Sequence, residues 1–162
     1  GCVSGRFRGS GRDAGGKVRR MYLMGSKRQL SGMRGVYLVA AELSRIGFIA
    51  SPTSRSTIGA DILVTDQECK KTYSVQVKTN TTTFNFWLLS KNSIRLKSPT
   101  YIYVFVNLRD KKGIIEYFIV HSSLVYSKVK KEQQGKSTWY SFTYKDAKKY
   151  KDKWLDIFKI KN

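Results

Sequence analysis

The stretch "YIYVFVNL", residues 101 to 108, is apolar, β-branched and aromatic throughout, with polarity entering only at Asn107. A strand with one wet face alternates in hydropathy, whereas a run apolar at every position belongs in the middle of a sheet, covered on both faces. The run is also far short of the roughly 18 apolar residues needed to cross a bilayer, and no other segment approaches that length. A central strand with a layer on each side is therefore required, and the rest of the chain must supply those layers. "GIIEYFIV" (residues 113–120) follows across the polar "RDKK" and is the natural antiparallel neighbour.

Upstream, "SGMRGVYLVAAELSRIG" carries the spacing of a helix. Val36, Val39, Ala40, Leu43 and Ile46 recur at three- and four-residue steps, and Gly47 supplies a stop. "FIASP" is a short strand. "ADILVT" and "TYSVQVKT" are two more, joined by the polar "DQECKK". "FWLLS" is expected to extend the same sheet, and "KNSIRLKS" to form a short helix or an irregular crossover. "SSLVYSKVKKE" and "YKDAKKYKDKWLDIF" are expected as amphipathic closing helices, with Leu155, Ile157 and Phe158 docking. The order predicts an α+β fold, a mixed β-sheet flanked by helices over one core, with extra helices at the C-terminal end. Residues 1–23 are rich in Gly, Ser and Arg without periodicity. They are expected to be a disordered leader or tag, leaving 24–162 as a single domain.

Charge narrows the function. Thirty-one Lys and Arg against 11 Asp and Glu give a formal +20 over 162 residues. Such an excess repels itself unless a polyanion relieves it, and nucleic acid is the first choice because phosphate contacts release counterions. The N-terminus has no secretory apolar core, so a cytoplasmic location is expected, with no membrane association. Cys2 and Cys69 form no CxxC pair, and the lone His121 is better explained as the end of a strand beside a helix cap than as a catalyst.

The chemistry concentrates in the hairpin. A loop centred on Glu68 and Cys69 sets Asp61 opposite Gln76, and directly opposed residues have Cβ atoms about 4.5–5.5 Å apart. Alternation then places Ser74, Gln76 and Lys78 on one face and Val75 and Val77 on the other. Asp61 and Leu63 share a face, opposite Ile62 and Val64. One side of the hairpin is core, while the other presents an acid, an amide and an amine together. Phosphodiester cleavage uses a hard cation to polarise the phosphoryl group and to make hydroxide near neutral pH. Magnesium takes one or two carboxylates along with neutral oxygens and water. Asp61 would be the anionic ligand, with the Gln76 side-chain carbonyl and the Val77 backbone carbonyl as neutral ones. Lys78 would hold the attacking water or neutralise charge in the transition state.

The segments "VAAELSRIGFIASP", "GADILV" and "YSVQVKT", followed in order by "FWLLS" and "YIYVFVNL", together resemble the PD-(D/E)XK nuclease superfamily. The likeness is closer to its small bacterial branch, in which Gln stands in the second acidic place, as it also does in some homing endonucleases. It spans roughly residues 33–107. The resemblance implies a restriction-endonuclease-like αβββαβ core, DNA as substrate, Mg2+ or Mn2+ as cofactor, and Asp61, Gln76 and Lys78 as catalytic residues. It also implies a homodimer, since most nucleases of the superfamily cut as dimers. Many relatives carry a Glu early in the first helix; Val36 stands there, and Glu42 is a secondary candidate.

Lys27, Arg28, Arg34, Arg45 and Arg55 are expected toward the mouth of the site, and Lys70, Lys71, Lys91, Arg95 and Lys97 along a flank. Together they would hold double-stranded DNA. Tyr101, Tyr103 and Trp87 could stack on bases, although aromatics within strand runs are core more often. Two other readings share the same charge: a DNA-binding module of this fold without catalysis, and a basic structural or interaction protein.

Overall fold

The computed structural model describes residues 14–54, 59–82 and 84–158. It divides into a unit ending at Leu30 and a unit from Ser31 onward; the second carries both sheets and is described here. Helix α1 spans Ala14–Arg45, starting well upstream of the apolar stripe that marks it in the sequence. The chain leaves it where Gly47 was expected to stop it, with the Phe48 N–H donating to the Leu43 carbonyl at 3.0 Å.

Five strands form the main sheet in the order β1-β2-β3-β5-β6. They are β1 (Ile49–Pro52), β2 (Ile62–Thr65), β3 (Thr72–Asn80), β5 (Tyr101–Arg109) and β6 (Ile114–His121). β3 and β5 run parallel and every other pair antiparallel, so the sheet is mixed. β3 is the middle strand, while β5 is interior between β3 and β6, and Tyr101 through Leu108 are all buried. The β2–β3 turn is organised by Asp66, whose carboxylate accepts from the Lys70 and Lys71 N–H groups.

β4 (Phe86–Leu89) does not extend this sheet. It pairs with β8 (Ser137–Thr143), which pairs with β7 (Lys130–Gln134), making a second, three-stranded antiparallel sheet. The sequence "KVKKE", expected in a helix, is therefore mostly strand, and helix α2 ends at Lys128 after seven residues (Ser122–Lys128). The last expected helix is broken into α3 (Tyr144–Ala147), a 3-10 turn (Lys148–Tyr150) and α4 (Trp154–Phe158). The break falls at Asp152, which has a left-handed φ of 54° and donates its N–H to the Tyr117 carbonyl. In α4, Ile157 and Phe158 dock as expected, while Leu155 is exposed and Trp154 takes the buried place instead.

The single expected core is two clusters, one on each face of the main sheet. On one face Val39 and Leu43 of α1 and Phe158 of α4 cover Ile62, Val75, Val77 and Val104. On the other, Trp87, Leu89 and Phe142 of the second sheet cover Tyr103, Phe105 and Phe118. α1 passes close to β3 at Gly35, where a Cβ would collide with Thr79 Oγ1. Among the described residues no helix is long and apolar enough to cross a membrane.

Candidate active site

β2 begins at Ile62, opposite Val75, where its ladder with β3 stops, and Asp61 lies one residue before it and meets Gln76 through its side chain. The Asp61 backbone is held on both sides. Its N–H donates to the Val75 carbonyl (2.8 Å), and its carbonyl accepts from the Thr53 N–H (2.9 Å) just past the end of β1. The Thr53 hydroxyl adds a bond to the Ala60 carbonyl at 2.6 Å. Thr53 was not singled out from sequence; a Thr following a Pro-terminated edge strand carries no signal of its own.

The Asp61 side chain is equally constrained. Its Oδ2 accepts a hydrogen bond from the Gln76 amide nitrogen and another from the Val77 N–H at 2.8 Å. The N–H and C=O of a strand residue leave on the same side of the chain. The Val77 carbonyl is therefore directed, like its N–H, past the end of β2 toward Asp61. A carboxylate, an amide and a main-chain N–H thus meet where the ladder runs out.

Gln76 is buried and Ser74 and Lys78 are half-buried on the same face of β3, while Val75 and Val77 face the α1 cluster. Lys78 holds its amine below the usual lysine range because burial penalises the ammonium; the nearby Asp61 charge opposes this without cancelling it. Tyr101, at the start of β5, donates its hydroxyl to the Gln76 amide oxygen at 3.3 Å. Burial, foremost, and then the neighbouring Tyr103 push the Tyr101 phenol well above its usual value, so it stays protonated. Both tyrosines, and Trp87, are buried and offer no face to a base. The parallel β3–β5 register (Ser74 beside Tyr101, Gln76 beside Tyr103) is what brings Tyr101 within reach, and that register is invisible in either strand alone.

Glu42 is not part of this cluster. It pairs with Arg45 at 2.9 Å and lies with Tyr117, Asp152 and Trp154 beside β6, two strands along the sheet from β3. The basic residues also separate. Gly59, two residues before Asp61, has a φ of 106°, and a Cβ there would meet Leu96 at 2.8 Å. The crossover bearing Lys91, Arg95 and Lys97 therefore lies against the approach to Asp61, with Lys97 5.5 Å above the Tyr126 ring. Lys70 and Lys71 sit in the β2–β3 turn, at the opposite end of β3 from Lys78. Arg34 pairs with Asp110 in the β5–β6 turn at 2.6 Å. Lys27 and Arg28 are exposed on α1 within the unit that ends at Leu30, and Arg55 lies outside the described residues. His121 ends β6 at the N-cap position of α2 without a side-chain capping bond, the strand-end place expected of it.

No family model matches the chain, and no curated protein is similar to it in sequence. Among solved structures, the Holliday junction resolvase Hjc of the archaeal hyperthermophile Archaeoglobus fulgidus superposes with a TM-score of 0.55 at 11% identity. The match covers 81% of this chain and 98% of the resolvase. At that identity the likeness is one of fold: an α+β, restriction-endonuclease-like architecture with a mixed sheet flanked by helices.

Proposed function

We propose that the protein is a metal-dependent DNA endonuclease in which Asp61, Gln76 and Lys78 form a PD-(D/E)XK site with Gln in the second acidic place. One observation carries this reading. The Asp61 carboxylate is gripped by the Gln76 amide and the Val77 N–H, with Lys78 on the same face of β3 and within reach of its charge. A structural aspartate at a strand start has no need of a buried amide and a partly desolvated lysine beside it.

The donors suit a hard divalent ion. They are oxygens only, one carboxylate and two neutral carbonyls, which fits magnesium better than a thiophilic metal. Among the described residues no group of three or more acidic, His or Cys side chains could hold a metal, and the proposed site has Asp61 as its one anionic ligand. When bound, Mg2+ or Mn2+ supplies phosphoryl polarisation and an acidified water. The chain's own part is positional. Thr53 and Val75 fix the Asp61 backbone, and Lys78 offers a donor whose proton is held less tightly than that of an exposed lysine.

The formal +20 supports DNA as the partner, and the fold it shares with a Holliday junction resolvase makes branched DNA the first substrate to try beside plain duplex. Plasmid and a synthetic four-way junction, incubated with Mg2+ or Mn2+, should be cut. Asp61→Asn and Lys78→Ala should each lower the rate about a thousandfold, near 4 kcal/mol of barrier. Cleavage surviving in both variants would overturn the assignment. Gln76 and the single acidic ligand favour a second reading, a non-cleaving binder of the same DNA. Salt-sensitive gel shifts without nicking would select it, and no binding even in dilute salt would leave a basic structural or interaction protein.

A further inference from the structure

An amide can ligate a cation only through its oxygen, because its nitrogen carries two hydrogens and no available lone pair. Gln76 has the wrong end toward Asp61: its nitrogen donates to the carboxylate, while its oxygen accepts from Tyr101. Without a cation no other arrangement is tolerable, since turning the amide would press its oxygen against the Asp61 carboxylate. With a cation between them the preference inverts.

Inversion is affordable only if the far end of the amide accepts either partner. Tyr101 meets that condition, for a hydroxyl is donor and acceptor at once and its hydrogen rotates to suit. Tyr103 stands beside Tyr101 with its ring edge-on at 5.4 Å and acts on the Tyr101 phenol, so the Tyr101 hydrogen has a second place to go. Both tyrosines are buried, which excludes bulk water as a substitute partner. An amide end left unpaired here would cost about 1–3 kcal/mol, enough to lock one orientation.

Resting on the metal-site reading above, we infer that Gln76, Tyr101 and Tyr103 form a reversible hydrogen-bond chain that lets the Gln76 amide turn from clamping Asp61 to ligating the cation. In the cation-free state Tyr101 donates to the amide oxygen. In the cation-bound state the amide nitrogen donates to Tyr101, and Tyr101 donates to Tyr103. Hydroxyl hydrogens rotate and no proton changes owner. Tyr101 is thus a positioning residue, acting on the cation solely through Gln76.

Magnesium titration of the 15N-labelled full chain, followed by NMR, tests this. In the metal-free protein the Gln76 NH2 should show nuclear Overhauser contacts to the Val77 amide proton, because both donate to the same oxygen. Saturation with Mg2+ should remove these and bring contacts to the Tyr101 ring. By calorimetry, Tyr101→Phe should weaken Mg2+ binding several-fold in the native background and leave it unchanged in Gln76→Glu, whose carboxylate needs no turning. A purely structural role would weaken both alike, or neither, and either result would overturn the inference. If Mg2+ shifts the Val77 amide yet the Gln76 NH2 stays beside it, the chain does not reverse and the nuclease assignment is untouched. If Mg2+ perturbs neither group, the metal site itself fails.

Discussion

β3 and β5 lie side by side in parallel, yet they use the same register differently. On the α1 side they agree: Val75 and Val77 pack beside Ile102 and Val104 in one apolar layer. On the other side they diverge. β5 presents Tyr101, Tyr103 and Phe105, whereas β3 presents Ser74, Gln76 and Lys78 at the matching positions. The second sheet explains the difference. Trp87, Leu89 and Phe142 pack with residues of β5 and β6, and no residue of β3 joins their cluster. The site is the place where one layer of a three-layer fold stops.

The sharpest way to break this contrast is to hollow out β5. Phe105 is fully buried and stacks on Tyr103 and Phe142 at 5.6 and 4.9 Å between ring centres. Phe105→Ala should cost about 3–5 kcal/mol in urea unfolding, the range for truncating a buried Phe. A loss under about 1 kcal/mol would mean the second sheet packs loosely on the first.

On the shared face, Gly35→Ala should cost about 1–2 kcal/mol, because the new methyl meets Thr79 and overpacking outweighs the gain in helix propensity. Thr79→Ala should restore much of the loss in the double variant, since that hydroxyl is buried without a hydrogen-bond partner. Simple additivity of the two changes would show that α1 shifts instead of pressing on β3.

The smallest effect has the opposite sign. Lys78→Met makes β3 resemble β5 on the site face and should raise stability by about 1 kcal/mol at neutral pH while abolishing cleavage. The folded protein holds the Lys78 amine below its usual value, so wild-type stability recovers only as the pH climbs toward the unfolded lysine value of about 10.4. The variant's advantage should therefore be full near pH 7 and vanish by about that pH. An advantage independent of pH would mean the gain comes from packing alone.

What the sequence made legible follows the same line. The hairpin could be read because Ile62, Val64, Val75 and Val77 alternate with polar residues, and a one-residue slip would turn every one of them outward. That alone aligned Asp61 with Gln76. The partner of β4 could not be read, since "FWLL" is apolar at every position and suits either sheet, and its true partner, Tyr140 to Thr143, lies some fifty residues downstream. The β7–β8 hairpin did leave a trace. Gly135, with a φ of 57°, sits in the turn between β7 and β8, and the lysines of β7 imitate a solvated helix face. The break in the last helix left none, because Asp152 adopts its left-handed backbone to reach Tyr117, a contact no local pattern encodes. Tyr101 was legible as core and opaque as a partner of Gln76, because its role depends on a parallel pairing across a twenty-residue crossover.

Asp61 takes half of its main-chain anchoring from Thr53, just past a four-residue outermost strand with a neighbour on one side alone. Peripheral strands fray before interiors melt. On gentle warming, nicking should therefore fade while near-ultraviolet dichroism from the buried aromatics is still intact, so that the molecule forfeits its catalytic alignment some degrees before it forfeits its shape.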